Sequence, residues 1–389
     1  MFFDQSEYDN RLTDCRQTME RKGIDVLIDS DPANMNYVTG YDGWSFYIPQ
    51  AVVIFVDRDQ PIWFGRGVDI SGARLTTRLS ENNIVVYTDD YVHNTTKHPM
   101  DVLGELLISY GCGSKTIGLE HDCNYFTPLC RDALQASMPN AEFVDAGKLV
   151  NWQRLIKSDA EIEAISSAAR ITEKIVQTFF DVVEPGVRQC DAVAALYAAQ
   201  TSGVEGVSGE FCAAIPMLLC GRGTSAPHLP WSGEALKSGE AIILETSGVS
   251  HRYHCPMART VHLGPPPEVL SNASRGVIEG NAAALEVAKA GNTCEDVEAA
   301  WREVIGKYGL VKESRIGYPI GIGYPPDWGE HTASLRQGDR TELVPNMVFH
   351  LMTGIWMDDW GIEISETFRV TDQGGVPFAS VPNALHVKN

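Results

Sequence analysis

The sequence predicts an α+β protein of two domains, and three observations carry that expectation. Up to about residue 150, short apolar runs alternate with amphipathic helical stretches. From Ser158 the texture changes to long amphipathic helices separated by strand-rich segments. Within that second part a helix, a glycine-containing turn and another helix recur 105 residues apart, the mark of an internal duplication.

Taken in order, "YDNRLTDCRQTMERKG" has helical spacing of its apolar residues and ends at Gly23, a suitable left-handed terminator. "IDVLIDS" reads as a buried strand and "DPANMNYVTGYDG" as a Pro- and Gly-marked loop. "QAVVIFVDRDQPIWFG" reads as a hairpin turning at "DRDQP". A boundary near Asn151 gives domains of residues 1–150 and 151–389. Ser158 and Glu161 then form a capping box that opens a long helix running towards "VVEPG". Arg170, Gly186 and Asp191 recur as Arg275, Gly291 and Asp296, and strand-rich segments follow each helix pair, at 204–264 and 314–373. Two such halves would bury their strand faces together and leave a cleft near the pseudo-two-fold axis.

Composition narrows the partners. With 389 residues, 44% hydrophobic and 21% charged, the chain has ordinary globular content. A formal charge of −20 repels nucleic acid and anionic lipid. The nine cysteines contain no C-x-x-C pair and no zinc spacing, so free thiols in a reducing compartment are expected. "MFFDQSEYDN" lacks the features of a signal peptide, and no apolar run is long enough for a membrane span. A cytoplasmic protein acting on a small molecule is the expectation.

Several segments fall in the order and spacing of one family: "IKSDAEIEAI", "TSAPHLPW", "LETSG" with "RYHCPMART", "GYPIGIGY", "VPNMVFHLMTGIW" and "GIEISETFRVT". They resemble the creatinase, prolidase, aminopeptidase P and methionine aminopeptidase superfamily, and "GIDVLIDSDPANMNYVTGYDG" resembles the creatinase-type amino domain. The resemblance implies a pita-bread catalytic domain behind a smaller α/β domain. It also implies where two metal ions would be held in the family's peptidases: the five ligand positions fall on Glu245, Pro256, Tyr318, Met352 and Ser365, with Glu363 or Glu366 as alternatives to the last. Proline and methionine cannot stand in for carboxylates around a divalent ion. No metal and no other cofactor is therefore expected.

The metal-free creatinase mechanism implies a histidine acid–base group, which falls on His228. "PPDWGE" and "DWGIE" are not general family motifs; they resemble the branch that hydrolyses a cyclic amidine solute. A planar amidinium can be gripped by one carboxylate and covered by aromatic faces. Glu245 and His228 are accordingly the expected catalytic residues. Trp44, Tyr318, Asp327, Trp328, Trp360 and Glu363 are the expected substrate contacts, with Tyr324 a further aromatic candidate. The resemblance also implies a homodimer in which the amino domain of one chain closes the cleft of the other, and it places the aromatic loop "YDGWSFYIP" at that junction, with Trp44 expected to cross over. Two other readings stay open: a metal-dependent Xaa-Pro peptidase or osmolyte lyase of the same fold, and a non-catalytic pita-bread binding module.

Overall fold

The computed structural model describes residues 2–389, and the chain divides into two compact units, one ending at Arg154 and the other beginning at Leu155. In the amino-terminal unit α1 (Gln5–Lys22) stops at Gly23, whose φ of 69° is the left-handed conformation glycine adopts without strain. β1 (Val26–Asp29) follows. The stretch expected to be a loop instead forms a helix, α2 (Pro32–Thr39). Asp31 caps it by accepting from the Ala33 amide at 2.9 Å, and Pro32 at the first helical position pre-sets φ. Proline opens this helix rather than breaking it.

β2 (Ala51–Phe55) and β3 (Ile62–Arg66) pair antiparallel as the expected hairpin. The unit continues through α3 (Ile70–Thr76), β4 (Ile84–Tyr87), α4 (Pro99–Ser109), β5 (Thr116–Leu119), α5 (Pro128–Ser137), β6 (Glu142–Asp145) and α6 (Leu149–Arg154). Its six strands form one mixed sheet in the order β4-β3-β2-β1-β5-β6. Val26, Phe55, Phe64, Leu103 and Leu119 are among the residues that fill its core.

The second unit opens with α7 (Asp159–Val182), capped by the Ser158–Glu161 box: Ser158 N donates to Glu161 Oε2 and Glu161 N to Ser158 Oγ. After α8 (Gln189–Ser202) come β7 (Met217–Cys220), β8 (Ala241–Ser250) and β9 (Tyr253–Leu263). Then α9 (Glu268–Val287) and α10 (Cys294–Lys307) repeat the helix pair. The C-termini of α7 and α9, and both ends of α8 and α10, match at an offset of 105 residues. Gly186 and Gly291 occupy the intervening turns with φ of 91° and 87°. The duplication legible in the sequence is thus a duplication of backbone geometry.

The remaining strands are β10 (Gly317–Tyr324), β11 (Asp327–Gly329), β12 (Val348–Leu351), β13 (Gly354–Trp356), β14 (Gly361–Glu363), β15 (Glu366–Val370), β16 (Gly375–Pro377) and β17 (His386–Lys388). They complete a nine-stranded sheet whose main path runs β16-β15-β12-β10-β9-β8-β7, with β13 and β14 a separate ribbon. α7 lies against β8 so closely that a Cβ on Gly248 would stand 2.2 Å from the Ala168 carbonyl. At this crossing Thr172 Oγ1 accepts from Gly248 N and donates to Cys255 O, tying the helix to both β8 and β9. All nine cysteines are free thiols. Among the described residues no helix is long and apolar enough to cross a membrane.

Candidate active site

Glu245 stands in mid-β8, with Met217 of β7 opposite it on one side and Ala258 of β9 on the other. Its side chain opens onto a cavity of about 500 Å³ in the second unit. The first half of the duplication contributes Met217, Pro227, His228 and Glu245; the second contributes Arg315, Tyr318, Asp327, Trp328, Met352, Trp356 and Glu363. The cleft expected between the halves is there.

Three acids line this space, Asp327 and the two glutamates Glu245 and Glu363. Glu363 ends β14, where Gly354 of β13 is its cross-strand partner. Its backbone is fixed by Thr260, whose hydroxyl donates to Glu363 O at 2.7 Å and accepts from Glu363 N at 3.0 Å. Its Oε1 is buried with no hydrogen-bond partner. Burial raises the Glu363 carboxyl to about 7, against an opposing pull from Lys312. Burial raises Glu245 well above the carboxylate range too, and the negative charges of Glu363 and Asp327 push it further. Both acids therefore hold protons that exposed glutamates would release.

Lys312 is the cation set against this pair. Its Nζ donates to Gly354 O at 2.9 Å, on the residue opposite Glu363, and sits 3.9 Å from the Trp356 ring centroid. Burial lowers the ammonium to about 8, although Glu363 and Glu245 oppose that shift. Asp327 behaves differently from the two glutamates. Burial pushes it up, but hydrogen bonds from His331 Nε2 at 2.7 Å and Gly329 N at 2.9 Å outweigh that and hold it below its usual range.

Behind Glu245 runs a buried polar chain. Trp328 Nε1 donates to Tyr318 Oη at 3.0 Å, and Tyr318 Oη lies 3.2 Å from His350 Nδ1. His350 Nε2 reaches Ser365 Oγ at 2.8 Å, which also accepts from Ala258 N at 2.6 Å. Burial and the Arg315 charge lower the His350 imidazole to about 3, so it is neutral near pH 7. Its Nδ1 is 4.0 Å from Glu245 Oε1. At that distance a neutral ring makes no hydrogen bond to Glu245 and does not neutralise it.

The five family ligand positions fit a divalent ion badly. Glu245 alone is a carboxylate, and Met352 presents a thioether to the cavity. Pro256 is held in β9 opposite Ser247, its carbonyl accepting from Thr367 Oγ1 at 2.6 Å. Tyr318 and Ser365 are committed to His350. Glu366, one alternative for the last ligand, is bound to Arg259 at 2.6 Å. Among the described residues no group of three or more His, Cys, Asp or Glu could hold a metal ion.

The cavity gathers Glu245, Glu363, Tyr318, Asp327, Trp328 and His228, although His228 sits on an exposed turn at its edge. It does not include Trp360, which packs against the hydrophobic core, because Trp356 on the facing strand takes the lining position. Trp44 belongs to the amino-terminal unit, where it is 57% exposed and its ring lies tilted 4.9 Å from that of Phe46. Tyr324 is buried beside Phe211 and Arg252. Glu330, the acid ending "PPDWGE", is buried against Lys157 at 2.8 Å and is structural. Sequence reasoning missed Lys312, Arg315, His350 and Trp356. The available signal for the first two was "VKESRIGYP", two cations immediately before a motif strand in an acidic chain.

Paired helices, a shared sheet and a cavity fed by both halves define an enzyme-like site on the pita-bread scaffold. The chain belongs to metallopeptidase family M24, which it matches over residues 163–372, and residues 11–156 match the creatinase/prolidase N-terminal domain. It is 42% identical to the ectoine hydrolase of Halomonas elongata, over 99% of this chain and 98% of that protein. It is 41% identical to an uncharacterised hydrolase/peptidase, y4tM, of Sinorhizobium fredii, covering 100% of this chain and 99% of the relative. Among solved structures, a prolidase from Thermococcus sibiricus superposes with a TM-score of 0.83 at 18% identity, over 98% of this chain and 99% of that one.

Proposed function

We propose that this protein opens the ring of ectoine, a cyclic amidine carrying a carboxylate, to give N-acetyl-diaminobutyrate without a metal ion. The protein is a hydrolase acting on a C–N bond, as its family and its full-length similarity to an ectoine hydrolase support. The observation that carries the finer reading is the unpartnered, buried Glu363 Oε1 beside Glu245 in an aromatic-walled cavity. A planar cation with two N–H donors supplies what that pair lacks. Trp328 and Trp356 offer it π faces.

Binding also prepares the catalyst. An arriving amidinium brings positive charge to two carboxyls whose burial disfavours ionisation, so it favours release of the Glu245 proton. Ionised Glu245 then takes a proton from water as the water oxygen bonds to the amidine carbon. As the tetrahedral adduct collapses, its hydroxyl proton leaves and the C=O forms. A ring C–N bond breaks, and the departing nitrogen takes up a proton, with His228 at the cavity edge as the shuttle. A divalent cation at this point would compete with the substrate for Glu245.

The test is incubation of purified protein with ectoine and, in parallel, 5-hydroxyectoine, followed by mass spectrometry. The expected product is ectoine plus one water with the acetyl group on nitrogen. Absence of any hydrolysis, alongside cleavage of an Xaa-Pro dipeptide, would replace this reading with that of a peptidase.

A further inference from the structure

We infer that Arg315 is the anchor for the substrate's carboxylate and hence the residue that selects a zwitterion over a simple amidine. The inference rests on the proposed reaction and adds to it the polarity with which the ligand lies in the cavity.

Arg315 lines the same space as Glu245 and Glu363 but carries the opposite charge. Its guanidinium carbon lies 4.4 Å from the Tyr318 ring centroid, and Nη1 donates to Ser334 Oγ at 3.2 Å. These contacts fix the plane of the group and leave the rest of its N–H fork for other acceptors. Among the described residues no carboxylate lies within ion-pair distance of it. Asp327, the acid nearest in sequence along the cavity wall, is already engaged by His331 and the Gly329 amide. A half-buried arginine at a cavity, oriented by a ring and a hydroxyl, feeling Asp327 only at longer range and with no carboxylate in ion-pair contact, suits a carboxylate brought by the ligand.

Tyr318 separates the two ends of the site. Arg315 covers its ring, while its hydroxyl is 3.2 Å from His350 Nδ1, which in turn is 4.0 Å from Glu245 Oε1. A ligand with its amidinium on Glu245 and Glu363 therefore finds a cation on the far side of one tyrosine. Lys312 does not fill this role, because its ammonium is occupied by the Gly354 carbonyl and the Trp356 face.

The test crosses two ligands with two variants. Ectoine and its decarboxylated analogue, 2-methyl-1,4,5,6-tetrahydropyrimidine, are assayed on the wild type, Arg315→Met and Arg315→Lys. Loss of a charge-assisted contact is expected to raise KM for ectoine about 10- to 100-fold in Arg315→Met. The same variant should handle the decarboxylated compound within about threefold of wild type, which also reports that the cavity is intact. Arg315→Lys keeps the charge but not the fork and should show a smaller rise; it carries the comparison alone should Arg315→Met fail to fold. An unchanged KM for ectoine, or an equal loss on both compounds, would overturn the anchor while leaving the reaction standing. Hydrolysis of neither compound by the wild type would overturn the proposed reaction and the anchor with it.

Discussion

Replacing Glu245 with glutamine removes a proton-transfer group while preserving its shape, and the structure sets opposite expectations for activity and stability. Glu245 faces the cavity with a carboxyl raised well above its ordinary range by burial and by Glu363 and Asp327. As general base it contributes on the order of 10²- to 10⁴-fold, or about 3–5 kcal/mol of transition-state stabilisation. The glutamine variant should lose at least that much kcat on ectoine. Stability should move the other way. A carboxyl that binds its proton more tightly folded than unfolded makes the wild type lose stability as pH rises above about 4.3, the unfolded value, towards the raised folded value. Glutamine does not titrate, so the variant's advantage should grow with pH and vanish below about pH 4. At pH 8 its Tm should be no lower than wild type, with each kcal/mol of relief worth about 2–4 °C. Product formation by mass spectrometry and melting curves at pH 4 and 8 provide the readouts. A variant that keeps kcat within tenfold, or that melts lower at pH 8 than at pH 4 relative to wild type, would refute the reasoning.

Other expectations follow from neighbouring features. Prolonged chelation should leave turnover unchanged, because the family ligand positions include Pro256 and Met352; activity lost to chelator and restored by manganese, iron or zinc would contradict this. In Lys312→Met, Glu363 and Glu245 both lose the cation that holds their carboxyls down, so the acid limb of kcat/KM against pH should move to higher pH. An unmoved limb would remove Lys312 from the account. The exposed Trp44 and Tyr47, 57% and 63% accessible in one loop, are expected to be covered in a homodimer, and Trp44→Ala should weaken it. Light scattering that gives a monomer at micromolar concentration would dismiss that interface.

How far the sequence could be read depended on how local each determinant was. The Ser158–Glu161 capping box, the Gly23 terminator and the duplicated helix pair are written in neighbouring residues and appear as expected. The α2 helix was misread because Pro32 breaks helices in mid-run but initiates one behind an Asp cap. Glu245 and Glu363 were visible through their motifs. The charges that set their protonation were not, since Lys312 and Arg315 act through tertiary packing after α10. Trp356 and Trp360 exchanged places for the same reason: the turn between β13 and β14 decides which ring meets the cavity and which meets the core.

The central claim is that a carboxylate at a former metal-ligand position now contacts a cyclic amidine directly. Crystals of Glu245→Gln soaked with ectoine test it most directly. The account places the amidine nitrogens within hydrogen-bond distance of residue 245 and Glu363, and the ligand carboxylate on Arg315. Ring density more than about 5 Å from residue 245, beyond direct or single-water reach, would contradict it.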